Sequence, residues 1–139
     1  MGPVRFAPSI LTADLARLWE AIREAEAAGV DWIHLDVMDG VFVPNLTFGP
    51  DVIASIRPHV SVMFEAHLMV EQPDELAHRY VEAGCQLLIV HQEACPHLHR
   101  TLAGIRELGA SPGVALNPAT PISTVEHVLD LVDLVLVMT

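Results

Sequence analysis

Three times in this chain a helical stretch closes in the same way. Glu26-Ala27-Ala28-Gly29-Val30-Asp31, Glu82-Ala83-Gly84-Cys85-Gln86 and Glu107-Leu108-Gly109-Ala110-Ser111 each lead out of a helix, through a glycine, toward a short apolar run. Glycine enters the left-handed conformation that ends a helix without a Cβ clash. A strand, then a helix, then a strand, with strands apolar on both faces, predicts a parallel sheet covered by helices.

Extending that period over the chain predicts strands at residues 6–11, 32–38, 61–69, 87–91, 113–117 and 134–138. Between them the spacing of Leu15, Leu18, Ile22 and Ala25 predicts a helix capped by Thr12, with Asp14 in its first turn. Further helices are expected from Pro50 to Arg57, from Pro73 to Gly84, from His97 to Leu108, and after a Thr120 cap with Pro121 in the first turn. The expected class is α/β, with about six parallel strands and five helices. A closed (β/α)8 TIM-type barrel takes roughly 200 residues or more. The 139 residues here therefore predict a single, incomplete barrel domain over 1–139. Six strands leave two unpaired edges and exposed apolar surface, so self-association as a homo-oligomer is expected.

Composition narrows the function. The net charge of −11 argues against nucleic acid and anionic membranes as partners. The chain holds no lysine, which excludes Schiff-base chemistry and a P-loop within it. Carbanion chemistry would then need another electron sink, and a metal is the obvious one. No apolar run is long enough for a transmembrane helix, and Met1-Gly2-Pro3-Val4-Arg5-Phe6 does not read as a secretory signal. Asn45-Leu46-Thr47 fits a glycosylation sequon but has no meaning without a secretory route. Two cysteines, Cys85 and Cys95, form no CxxC and suit a reducing cytoplasm.

Trp32-Ile33-His34-Leu35-Asp36-Val37-Met38 is the strand richest in chemistry. Ile33, Leu35 and Val37 make one aliphatic face, and His34, Asp36 and Met38 the other. Neighbours on one face lie about 7 Å apart along the strand, so an imidazole and a carboxylate can share one cation or one acidic carbon. Taken alone, a half-buried strand with one wet face explains the pattern equally well. Polar residues recur, however, at the C-terminal ends of the other strands, where β/α barrels carry their active sites. Ser9, His67, His91 and Asn117 are such residues, and Met69 and Met138 join Met38 as a polarizable wall or as plain barrel filling. His34, Asp36 and His67 form the strongest candidate cluster. Cys95-Pro96-His97-Leu98-His99 has metal-site composition, but residues two apart at a helix start do not face each other. His59, His78 and His127 fall on helices or loops and are expected to face solvent.

Five motifs resemble the ribulose-phosphate 3-epimerase family. They are Ala7-Pro8-Ser9-Ile10-Leu11, His34 to Gly40, Phe42 to Pro50, His67-Leu68-Met69 and Gly113 to Pro121. The second and third are shared with the related allulose-phosphate epimerases. The resemblance implies metal-dependent interconversion of D-ribulose 5-phosphate and D-xylulose 5-phosphate by proton transfer at C3 through an enediolate. It implies that His34, Asp36 and His67 bind one divalent metal, zinc or iron(II) foremost, with cobalt or manganese possible. It also implies that Asp36 is an acid/base group and that Ser9, His67, Met38, Met69 and Met138 contact the sugar phosphate. Glu65-Ala66 stands where the family usually has Asp-Val, a change expected to be tolerated beneath the site. A Gly-rich phosphate loop, a second aspartate that is also the fourth ligand, and a last strand follow in the family but not in these residues. The chain thus resembles the first two-thirds of an epimerase. The alternatives are an inactive metal-binding β/α fragment, an epimerase for a ketose phosphate such as allulose 6-phosphate, and, more weakly, a metal hydrolase.

Overall fold

The computed structural model describes residues 2–139. Its centre is a five-stranded parallel sheet in chain order: β1 (Trp32–Met38), β2 (Met63–Met69), β3 (Leu87–His91), β4 (Ser111–Leu116) and β5 (Leu134–Val137). The helices α1 (Leu18–Ala27), α2 (Pro50–Ile56), α3 (Pro73–Glu82) and α4 (Leu98–Glu107) connect the strands, and a 3-10 segment, Ile122–Val128, makes the last crossover. The arrangement is part of a β/α barrel, as the alternation predicts.

The sheet has two different faces. Ile33, Leu35, Phe64, Ala66, Leu68, Leu88, Val90 and Val114 point toward the helices and are fully buried. They meet Ile22 of α1, Ile53 of α2, Tyr80 of α3, and Leu102 and Ile105 of α4, residues spaced so as to share one helix face. Each fully buried Leu or Ile contributes about 1.5–3 kcal/mol. The opposite face has a smaller apolar floor of Leu87, Ile89 and Ala115, against which Leu134 and Leu136 pack. Above that floor, at the C-terminal strand ends, sit the polar residues.

Gly29, Gly84 and Gly109 all have positive φ, at 85°, 102° and 91°, so the repeated joint is one conformation used three times.

Several expected elements differ in detail. Residues 6–10 run parallel to β1 but register only as an isolated bridge between Ser9 and His34. Trp32 N–H donates to Phe6, His34 N–H to Pro8, and Ile10 N–H back to His34. The missing rung is the one Pro8 would donate, and proline has no N–H. The helix cap is Asp14, not Thr12: its carboxylate accepts from Ala16 N at 3.0 Å and opens a 3-10 turn, Leu15–Arg17, ahead of α1. Ser61 and Val62 stay outside β2 because their N–H groups donate to the Glu26 carboxylate instead of to a strand. β4 begins at Ser111, earlier than expected, and Asn117 lies just past its end. Thr120 caps no helix; its hydroxyl donates to Glu93.

Candidate active site

The parallel register builds the site. His34 pairs with Glu65, Asp36 with His67 and Met38 with Met69, so their side chains share the inner face of β1 and β2. Asp36 Oδ1 lies 3.1 Å from His34 Nε2 and 3.0 Å from His67 Nδ1. The three donor atoms fall within 4.8 Å of one another, which makes this a grouping that could hold a metal ion. Asp36 Oδ2 accepts a hydrogen bond from the exposed Ser9 hydroxyl at 2.5 Å. One carboxylate thus uses one oxygen toward the histidines and the other toward the N-terminal segment.

Leu11, His34, Asp36, Met38, His67, Met69, Met138 and residues 136–139 line a cavity of about 370 Å³ here. Met38, Met69 and Met138 border this cavity together with His34, Asp36 and His67; Ser9 is joined to it through its hydrogen bond to Asp36, and His91 and Asn117 lie outside its lining. His97 and His99 remain exposed on α4 and its approach, apart from this cluster, and His59, His78 and His127 are exposed as expected.

The sequence reading gives Glu65 and Glu93 no functional role and His91 only a place at a strand end. Glu65 does not lie idle beneath the site. It is 4% exposed, and its Oε1 binds His34 Nδ1. The signal available in the sequence was its position two residues before His67, on the same strand face. His91 is completely buried, with its Nε2 at 2.8 Å from His67 Nε2 and its ring centroid 4.7 Å from that of Phe42. Its Nδ1 meets Glu93 Oε2 at 3.0 Å. The polar chain therefore runs Ser9, Asp36, His67, His91, Glu93, with His34 and Glu65 as a branch.

The electrostatics follow from this packing. Burial works against a charge on His34, but the carboxylates of Asp36 and Glu65, one at each ring nitrogen, outweigh it and raise its pKa to about 9. Burial pushes Asp36 upward, yet hydrogen bonds from His34, His67 and Ser9 hold its carboxyl far below the usual range. Burial, and then the neighbouring His67, push His91 downward. The pocket is built to stabilise positive charge beside Asp36. Two imidazole nitrogens and a carboxylate oxygen are also the donors that zinc and iron(II) favour. Glu65 behind His34 is the usual outer support of a metal-bound histidine. The residues present fit a divalent cation.

The family model described as the ribulose-phosphate 3 epimerase family matches residues 5–139. The chain belongs to the ribulose-phosphate 3-epimerase family. It is 52% identical over 136 residues to a ribulose-phosphate 3-epimerase of Rhodobacter capsulatus, covering 98% of this chain and 60% of the relative. The corresponding figures for the Bacillus subtilis (strain 168) enzyme are 51% over 136 residues, 98% and 63%. The chain thus spans somewhat under two-thirds of the length of these epimerases. Among solved structures, an aldolase aligns with a TM-score of 0.65 at 11% identity, covering 96% of this chain and 65% of the other, a likeness of fold alone.

Proposed function

We propose that the protein is a metal-dependent 3-epimerase interconverting D-ribulose 5-phosphate and D-xylulose 5-phosphate. The observation that carries this reading is the gathering of His34 Nε2, Asp36 Oδ1 and His67 Nδ1 at adjacent strand ends, in a member of this family. These three residues would hold the ion, zinc or iron(II) by donor type. A divalent cation at this point supplies the positive charge that makes a proton beside a ketone acidic.

The chain's own residues do the rest. Asp36 takes or returns the C3 proton on one face of the substrate, and Ser9 steadies its outer oxygen. Ser9 and His67 contact the sugar phosphate, while Met38, Met69 and Met138 present an apolar wall that keeps water from the reacting carbon. Among the described residues Asp36 is the one carboxylate lining the cavity. Inversion needs an acid/base group on each face of a planar intermediate, and Asp36 accounts for one of the two. Cys85 and Cys95 are free and buried, which supports a reducing, cytoplasmic setting. Among the described residues no helix is long and apolar enough to cross a membrane.

The test follows deuterium entry at C3 alongside product formation in the intact protein. Asp36→Asn should abolish both, and Asp36→Asn and His67→Ala should each reduce bound metal. Full turnover in Asp36→Asn, or unchanged metal content in both variants, would refute the assignment. Residues 1–139 alone should give negligible interconversion.

A further inference from the structure

The polar chain behind His67 has a direction, and it can be read from the exposed Glu93 inward to the buried His91 and His67. Glu93 is anchored first. Its Oε1 accepts from the Asn117 backbone N–H at 2.8 Å and from the Thr120 hydroxyl. A backbone N–H can only donate, so this oxygen is committed as an acceptor. The other oxygen, Oε2, faces His91 Nδ1 at 3.0 Å. An ionised carboxylate only accepts, so the proton of a neutral His91 ring sits on Nδ1. His91 Nε2 is then a lone pair. At 2.8 Å from it, His67 Nε2 must be the donor. With its proton on Nε2, His67 can offer Nδ1 as the lone pair for an ion at the candidate metal site, the ion taking the place of the proton that this nitrogen otherwise donates to Asp36 Oδ1, 3.0 Å away.

We propose that Glu93 and His91 are positioning residues that lock His67 in the tautomer whose Nδ1 can bind a metal. This rests on the metal site proposed above and extends it to two residues that do not touch the ion. His34 has its own carboxylate, Glu65, directly on Nδ1. His67 instead reaches its carboxylate through a second imidazole, because the β3 strand end lies between β2 and the loop that holds Glu93. The loop after β4 takes part as well, since Asn117 and Thr120 decide which way Glu93 is polarised. Such outer partners are commonly worth 10- to 100-fold in metal affinity.

Glu93→Gln reverses the relay without changing its shape. The amide oxygen takes the place of Oε1 beneath Asn117 and Thr120, and the NH₂ then faces His91 Nδ1. That nitrogen must become an acceptor, the His91 proton moves to Nε2, and His67 is left with its proton on Nδ1, aimed into the site. In the intact protein, zinc affinity measured by chelator competition should fall about 10- to 100-fold. The visible spectrum of the cobalt-loaded protein should weaken in parallel. Long-range proton–nitrogen correlation spectra should show His91 protonated at Nδ1 in the wild type and at Nε2 in the variant. A merely structural role for Glu93 would lower stability without moving the His91 proton. Unchanged zinc affinity in a folded Glu93→Gln protein overturns this proposal while leaving the metal site standing. A wild type that binds neither zinc nor cobalt overturns both. If Glu93→Gln fails to fold, the wild-type spectrum still decides: a His91 proton found on Nε2 refutes the relay.

Discussion

Replacing Gly84 by alanine should destabilise the protein more than the same change at the equivalent joint, Gly29. Both glycines have positive φ, 102° and 85°, so an alanine at either place bears the left-handed penalty of about 1–2 kcal/mol. At Gly29 a Cβ would meet nothing within 4 Å. At Gly84 it would lie 2.7 Å from both Cγ and Cδ of Arg57. Those two carbons carry the guanidinium, so the whole side chain must leave. Arg57 donates to the carbonyls of Val62 at 2.9 Å and Val60 at 2.7 Å, and stacks 4.0 Å from the Phe64 ring centroid. Losing a charged donor's hydrogen bonds and a cation–π contact at a part-exposed site costs about 2 kcal/mol more. Gly84→Ala should therefore lose about 3–4 kcal/mol in urea unfolding, and Gly29→Ala about 1–2 kcal/mol. On the Gly84→Ala background, Arg57→Ala should have little further effect, because its contacts are already gone. Equal losses at Gly84 and Gly29, or additive losses in the Arg57→Ala/Gly84→Ala double variant, would refute the account.

Acid stability gives a second test at Glu26, whose carboxyl is held below its ordinary value chiefly by the Ser61 hydroxyl and the N–H groups of Ser61 and Val62. A carboxyl with a lowered folded pKa stabilises above its unfolded pKa, near 4.5, and that contribution is lost as pH falls through the folded value. The urea midpoints of the wild type and Glu26→Gln should differ most above pH 5 and converge in more acid solution; a gap independent of pH would refute this. Burial pushes the thiols of Cys85 and Cys95 up to about 12. At pH 8 both should react with a thiol reagent only as fast as the fold opens, and rapid labelling of the native protein would contradict their burial.

Much of the architecture was legible because it depends on short-range chemistry. The alternation of β1, the aliphatic run of β3 and the glycine joints act over a few residues, where backbone sterics and side-chain period suffice. Pro8 shows the limit of pattern alone: the segment reads as a strand, but the missing N–H of one residue removes a rung. The last crossover differs for a similar reason, since Thr120 spends its hydroxyl on Glu93, a residue 27 positions away, rather than on the helix it precedes.

His34, Asp36 and His67 could be named from the chain because polar residues at apolar strand ends are conspicuous. What they do together depends on register. A slip of one residue between β1 and β2 would turn His67 to the helix side and part it from Asp36. Glu65, Glu93 and the role of His91 stayed hidden because such an acid or imidazole has meaning only through its partners, and these partners lie on neighbouring strands and loops. Local sequence thus determined the alternating elements and the polar strand ends. Only tertiary packing decided which nitrogen faces which oxygen, because that depends on the parallel pairing of segments about thirty residues apart.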